Sequence, residues 1–288
     1  MNRDEALNKS DEALNELAET LKQGKSDQLM EYLGTMSRFH QYSFGNCMLI
    51  ALQNPTATYV AGFSRWKELN RFVKKGEKGI AILAPLVGKR KRDSSEIESP
   101  VPADNAEPNN GKVLYGFRVV YVFDVSQTEG EELPEFASLG GDPGDKLDLL
   151  DSIIRSKGIA IEYVESLPCD ANGMSEGGKV SINSTRSRAQ MFSTMVHELA
   201  HELLHWGDRR EGTTKVVRET EAESVAYVVC RWAGLECSTK ASDYIQLWNG
   251  DEKVLLQSLE LIRNVASQII SELDVATTQA SKEVANVA

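Results

Sequence analysis

The chain has 288 residues, about twice an ordinary domain, so two domains are the first expectation. Hydrophobic residues at 41% and charged residues at 26% exclude a disordered, collagenous or membrane-spanning polypeptide. The net charge of −11, from 32 Lys and Arg against 43 Asp and Glu, argues as an average against a general nucleic-acid binder.

Leu7, Leu14, Leu17 and Leu21 recur at helical spacing over 4–22, and further helices are expected at 26–37 and from Ser43 to the stop at Pro55. Short strands follow at 58–61 and 79–84, with a helical stretch at 64–70 between them. Residues 113–125 alternate: Val113, Tyr115, Phe117, Val119, Tyr121, Phe123 and Val125 share one face of a strand, which is expected to be core. The polar stretch 88–112 reads as a long loop and 127–143 as an interdomain linker, so the domains are expected at 1–126 and 144–274 with a tail at 275–288. The second domain reads as a helix at 145–157, a strand at 159–164, a hairpin ending in Lys179–Asn183, and helices at 187–206, 215–234, 240–248 and 251–273. Cysteines at 47, 169, 230 and 237 form no CxxC pair, and the start of the chain lacks the apolar block of a secretory signal. No apolar run is long enough for a bilayer. A cytoplasmic protein with free thiols and no membrane partner is expected.

Chemistry concentrates in His197-Glu198-Leu199-Ala200-His201. Two histidines four apart on one helix face present their rings at the separation a single zinc ion requires, and the adjacent Glu198 reaches a bound water. Phe192, Met195, Val196, Leu199 and Leu203 form the opposite, apolar stripe. His205 lies about 12 Å along the axis from His197 and makes a poor third ligand; it stands behind the ligands or on the surface. Leu204 and Gly207 occupy the Gly and last His positions of the HExxHxxGxxH pattern, which excludes that class. In the next helix Glu219 and Glu223 share a face with Ala222 and Ala226, whose small size admits a close neighbour, and Glu221 points about 200° away. Glu219 is the expected third ligand and Glu223 the acceptor that fixes a ligand imidazole, although the two roles could be exchanged. With the fourth position open, Glu198 would act as general base in metal-assisted peptide hydrolysis. The strand Lys179–Asn183 would pair with an extended substrate. Zinc is the expected ion, with manganese or another divalent metal as the alternative.

Residues 178–232, through Lys179-Val180-Ser181-Ile182-Asn183, Met195-Val196-His197-Glu198-Leu199-Ala200-His201 and Glu219-x-x-Ala222-Glu223-x-Val225-Ala226, resemble the ImmA/IrrE type of zincin metallopeptidase. The resemblance implies that Glu219, in the E-x-x-A position, is the third zinc ligand. Many members carry Asn or Asp where this chain has Glu223, and broad zincin patterns carry an uncharged residue at the place of Glu202.

The first half, through Tyr42-Ser43-x-x-Asn46-x-x-Leu49-Ile50-x-x-Gln53-Asn54-Pro55, Gly62-Phe63-x-x-Trp66 and Val73-Lys74-Lys75-Gly76-Glu77-Lys78-Gly79-Ile80, resembles the N-terminal single-stranded-DNA-binding domain of ArdC-type antirestriction proteins. The resemblance implies an α+β protein of mobile elements: a mixed helix and strand DNA-binding domain, then a mainly helical zincin-like domain with a small sheet. Such proteins shield entering single-stranded DNA from restriction. Tyr42, Ser43, Asn46, Phe63, Trp66, Lys74, Lys75 and Lys78 are the expected DNA contacts. Independently, residues 62–92 hold ten Lys and Arg against two Glu, and eleven of twenty aromatics lie within 39–123; cations beside rings suit single strands. Most of those rings, above all the 115–123 face, are nonetheless expected in the core. The competing functions are a regulatory protease that cleaves a repressor and a DNA-binding module with a structural or vestigial metal site.

Overall fold

In the computed structural model, which describes residues 1–23, 27–89, 101–102, 112–131, 141–236 and 252–287, the leucine-spaced segments form α1 (Arg3–Lys22), α2 (Asp27–Arg38) and α3 (Phe44–Gln53). There follow β1 (Val60–Gly62), α4 (Phe63–Glu68), β2 (Arg71–Val73), β3 (Ile80–Lys89), β4 (Val101–Pro102), β5 (Lys112–Asp124) and β6 (Thr128–Gly130). The remainder is α5 (Lys146–Ser156), β7 (Ala160–Val164), β8 (Gly173–Ser175), β9 (Lys179–Asn183), α6 (Arg188–Leu204), α7 (Asp208–Gly212), α8 (Lys215–Trp232) and α9 (Glu252–Val287). The mixed helix and strand class is therefore as expected. The short elements β2, β4, β6 and α7 lie below the length at which periodicity is readable. Where fraying was expected after 274, α9 continues to Val287. The expected helix at 240–248, most of the 88–112 loop and Cys237 lie outside the described residues.

The chain divides into two units, Met1–Ala13 with Gly45–Leu133 and Leu14–Phe44 with Pro134–Ala288. The division after 133 falls inside the expected 127–143 linker. Residues 14–44 differ from the expected 1–126 domain, because α2 buries Leu29, Tyr32, Leu33 and Met36 and packs on α8 of the second unit.

In the first unit β1, β5, β3 and β4 form one antiparallel sheet in that order, and β2 pairs with β6. Ile80, Ile82, Ala84 and Val122 supply its buried side. Because β4 covers β3 only at Leu86 and Val87, the backbone edge at Ala81 and Leu83 needs other partners. The Asn46 amide donates to the Leu83 carbonyl at 2.8 Å and accepts from its N–H at 2.9 Å. Gln53, two turns along α3, repeats this at Ala81 with 2.9 and 3.0 Å. Two side-chain amides thus act as the missing strand.

The other face of β5 is not core. Tyr121, Phe117 and Tyr115 are 49%, 39% and 37% exposed, which overturns the expectation that the 115–123 aromatics are buried. The alternate residues Val122 and Asp124 are the buried ones, and an apolar strand with two hydrophobic sides conceals which of them faces inward. Phe63, 60% exposed, lies edge-on to Phe123 at 6.3 Å. A Cβ on Gly79 would sit 2.8 Å from Tyr121 Cβ and 3.1 Å from the Phe123 ring, so a glycine there lets the strand lie under the aromatic row.

In the second unit β9 is central, parallel to β7 and antiparallel to β8, and α6, α8 and α9 pack together beside this small sheet. Among the described residues, no helix is long and apolar enough to cross a membrane.

Asp124 ties β1 to β5: Oδ1 accepts from the Thr58 and Tyr59 N–H groups at 2.8 and 3.1 Å, and Oδ2 from Ser126 N–H and Oγ at 3.0 and 2.6 Å. Burial would raise this carboxyl's pKa, but the hydrogen bonds from Ser126, Thr58 and Tyr59 hold it below its ordinary 3.8. A depressed native pKa means stabilisation that is complete above the unfolded value and lost as the pH falls through the native one. Asp124→Asn is expected to cost about 2–4 kcal/mol and to speed exchange of the Thr58 and Tyr59 amides. Hydrogen exchange and urea titration at neutral pH measure both.

Candidate metal centre

A capping box starts α6, with the Ser187 hydroxyl and the Gln190 side chain each accepting from the other's backbone N–H. The helix then buries Phe192, Met195, Val196 and Leu199 completely, which turns His197 and His201 away from that stripe. On α8, Ala222 and Ala226 are buried, and the face they share carries Glu219 toward the imidazoles. His197 Nε2 lies 3.1 Å from His201 Nε2, and Glu219 Oε2 is 3.5 Å from each. Four donors around one zinc at bonds of about 2.0–2.1 Å stand about 3.3 Å apart at the corners of a tetrahedron. The three atoms are thus spaced like one face of such a tetrahedron. Among the described residues, these three are the group able to hold an ion.

Its contacts with His197 and then His201, whose rings donate to it when they are charged, hold the Glu219 carboxyl far below its ordinary value, overcoming burial. At His197 burial opposes the charged form, but the Glu219 hydrogen bond and the charges of Glu198, Glu219 and Glu223 raise the pKa. Burial raises the Glu198 carboxyl, against the pull of His197 and His201 and with the help of Glu219 and Glu202. A carboxylate raised in this way holds a proton more readily than an ordinary one, as a general base must.

His197, Glu198 and Glu219 line a cavity of about 370 Å³, whose wall also includes Gly173, Glu223 and Tyr227. A Cβ on Gly173 would stand 2.4 Å from Thr194 Cγ2 and 2.9 Å from both Glu198 Cγ and Oε1. Only glycine lets β8 pass this close to the base. Asn172 and Glu176 bond inward to the β9 strand and its turn, so the alternation of an antiparallel pair leaves the backbone groups of Gly173 and Ser175 facing the outer edge. The expected docking of a substrate on Lys179–Asn183 is corrected accordingly. Both sides of β9 are occupied, and the free edge beside the cavity is β8.

Glu223 makes no hydrogen bond to His197 or His201 among the described residues, so the expected part of imidazole acceptor is not filled by it; it faces the cavity. Sequence reasoning missed two other side chains. Glu202 accepts from the Gly177 and Gly178 N–H groups at 3.0 and 2.8 Å. Both glycines have positive φ, +79° and +81°, as a two-residue hairpin turn requires, so Glu202 anchors the β8–β9 turn to α6. Glu221, turned away from the ligand face, is fully buried, as is His205, and the two meet at 2.9 Å. The buried carboxylate in a helix whose other face carries ligands was the available signal.

The expected DNA contacts divide. Trp66 is fully buried and donates its indole N–H to the Phe123 carbonyl at 2.9 Å. Asn46 is spent on β3, so neither residue presents a surface to a base. Phe63, Lys75 and Lys78 are exposed, Lys74 is exposed and donates to the Ser126 carbonyl at 2.9 Å, and Tyr42 and Ser43 lie in the second unit's 14–44 segment. Phe117, Tyr121 and Tyr115 are the exposed rings that were not expected. Lys89 to Arg92 contribute no described side chain.

Residues 4–123 match the model of a family described as the N-terminal domain of anti-restriction factor ArdC. This segment is thus similar to that domain family over the stretch whose motifs carried the resemblance. The chain as a whole has the fold of the antirestriction protein ArdC from plasmid R388: its metal-free crystal structure aligns at a TM-score of 0.51 and 15% identity, covering 92% of this chain and 97% of that one. The Mn(II)-bound crystal structure of the same protein aligns at a TM-score of 0.51 and 16% identity over the same shares. An uncharacterised protein of Bacillus anthracis is 26% identical over 299 residues, which is 89% of this chain and 49% of that protein. The chain spans about half the length of that curated relative.

Glu202→Ala is expected to loosen the β8–β9 turn, costing about 1 kcal/mol for charge-assisted bonds at a partly exposed site. Urea denaturation together with amide exchange at Gly177 and Gly178 measures the effect.

Proposed function

We propose that this chain is an ArdC-type antirestriction protein whose first unit binds and protects single-stranded DNA and whose second unit is a metal-dependent peptide hydrolase. The observation that carries the second half is the 3.1, 3.5 and 3.5 Å triangle of His197, His201 and Glu219 with Glu198 beside it. Zinc suits two imidazoles and a carboxylate, and the Mn(II)-bound relative supports a divalent ion of some kind. When bound, such an ion makes water more acidic and polarises a carbonyl oxygen. Glu198 takes the proton of the attacking water and returns it to the leaving amine. The β8 edge at Gly173 and Ser175 offers backbone groups to an extended peptide. A merely structural metal would have no use for a raised carboxyl held in a cavity beside its ligands.

For DNA, Phe123, Tyr121 and Phe117 supply rings on one sheet face, with Phe63 of α4 edge-on to Phe123 and Tyr115 exposed past the register shift between Leu86 and Val87. Lys67, Lys75 and Lys78 are exposed in the same unit without an ion-pair partner among the described residues. Alternate strand residues stand about 6.8 Å apart, and rings so spaced can stack on successive bases while the lysines attract phosphates.

The metal reading is tested by elemental analysis. About one divalent ion per chain is expected in the wild type, lost in His197→Ala and Glu219→Ala but retained in Glu198→Gln, which abolishes cleavage of any peptide the wild type hydrolyses. Full metal retention in the first two variants would refute it. The DNA reading is tested by oligo-dT binding. Phe117→Ala and Tyr121→Ala are each expected to weaken binding about tenfold, and a Lys75→Ala/Lys78→Ala double change to flatten the salt dependence. Wild-type affinity in both ring variants would remove the aromatic face from the binding site.

A further inference from the structure

Behind His201 runs a hydrogen-bonded chain that peptide hydrolysis does not use. His201 Nδ1 lies 2.9 Å from His205 Nδ1, and His205 Nε2 lies 2.9 Å from Glu221 Oε2. Glu221 Oε1 accepts from Ser258 Oγ of α9 at 2.6 Å. The Arg209 guanidinium of α7 donates to both Glu221 oxygens, at 2.6 and 2.7 Å. The His205 and Glu221 side chains are both 0% exposed. Water therefore cannot substitute for the link between these two groups.

With both imidazoles neutral, the form in which they can bind a metal, the bonding rules leave one arrangement of protons. A carboxylate only accepts, so His205 must carry its proton on Nε2. A neutral imidazole has one N–H, which makes His205 Nδ1 a lone pair. Facing that lone pair, His201 Nδ1 must donate. The proton of His201 is then on Nδ1, and its Nε2, the atom 3.1 Å from His197 Nε2 and 3.5 Å from Glu219 Oε2, is left as a lone pair. The opposite arrangement would aim an N–H at the metal position.

We infer that His205 and Glu221 are positioning residues that set the tautomer and ring orientation of His201, so that its Nε2 is always presented to the ion as a ligand. The inference rests on the metal reading above. Metal-binding imidazoles commonly donate their other N–H to a carboxylate or carbonyl. Here a second histidine stands between, and it carries the influence of a carboxylate on α8 through to a ligand on α6. His205 is one helical turn after His201 and at the C-terminal end of α6, where its ring can reach both the preceding ligand and Glu221. Arg209 and Ser258 then fix the carboxylate from two further helices. The same His201 proton would otherwise be free to exchange between its two nitrogens, and only one of those forms can bind.

The test uses the full chain and two independent readouts. Competition with a chromophoric chelator gives the affinity for Zn(II) and Mn(II). His205→Leu is expected to lower it about 10–100-fold. His205→Gln, whose side-chain carbonyl can still accept from His201 Nδ1–H, is expected to recover most of that loss. Glu221 keeps Arg209 and Ser258 in either variant, and circular dichroism of the metal-free proteins checks the fold. Wild-type affinity in His205→Leu would overturn the inference, and so would an equal loss in both variants, since packing rather than an acceptor would then be at stake. The second readout is the imidazole ¹⁵N spectrum of the metal-free wild type, which needs no variant to fold. A His201 protonated on Nδ1 is expected, and protonation on Nε2 would overturn the inference. A wild type that binds neither ion would defeat the metal reading instead, while the nitrogen spectrum still decides the proton arrangement.

Discussion

Glu219 meets both imidazoles because α6 and α8 approach closely, and small residues at Ala222 and Ala226 permit that approach. The constraint reaches through the second unit. With α2, α6 and α9 all packed on it, α8 is buried on nearly every side from Thr220 to Cys230, so a carboxylate turned into that packing must find a partner. Glu221 does so at His205, Arg209 and Ser258, while Glu219, half exposed, meets the imidazoles from the cavity side. The ligand and the buried carboxylate behind the site are carried by different faces of one helix.

A second theme is how each sheet handles its edges. In the first unit, side-chain amides of Asn46 and Gln53 close the part of β3 that β4 does not reach, so the motif residue Asn46 is explained by architecture. In the second unit the edge at β8 is left open, and it lies where Glu198 needs Gly173 beside it. One edge is sealed by side chains and the other is left without a strand partner among the described residues. The overall charge of −11 conceals a comparable contrast, since the basic residues of 62–92 lie in the unit that also exposes aromatic rings.

Much of the site was legible. HExxH spacing on an amphipathic helix and a carboxylate beside small residues on the next helix are local signals, and the structure brings His197, His201 and Glu219 together as their spacing implied. Tertiary consequences were not legible. Nothing in the 113–125 alternation says which apolar side is buried, and the aromatic side proved to be the outer one. Trp66 and Asn46 looked like contacts because they stand in the motifs that carry the ArdC-type resemblance, but their polar atoms are claimed by the backbone of Phe123 and Leu83. His205 and Glu221 belong to a network across α6, α7, α8 and α9, and no single-element pattern reveals such a network. Glu202 looked anomalous for the same reason, since its partners are amides of a distant turn.

The most direct test of the central claim is X-ray absorption at the zinc edge of the metal-loaded chain. A light-atom shell at about 2.0–2.1 Å is expected, with the outer-shell scattering of two imidazoles and completed by carboxylate and water oxygens. A sulfur shell at about 2.3 Å, or a shell without imidazole scattering, would contradict it.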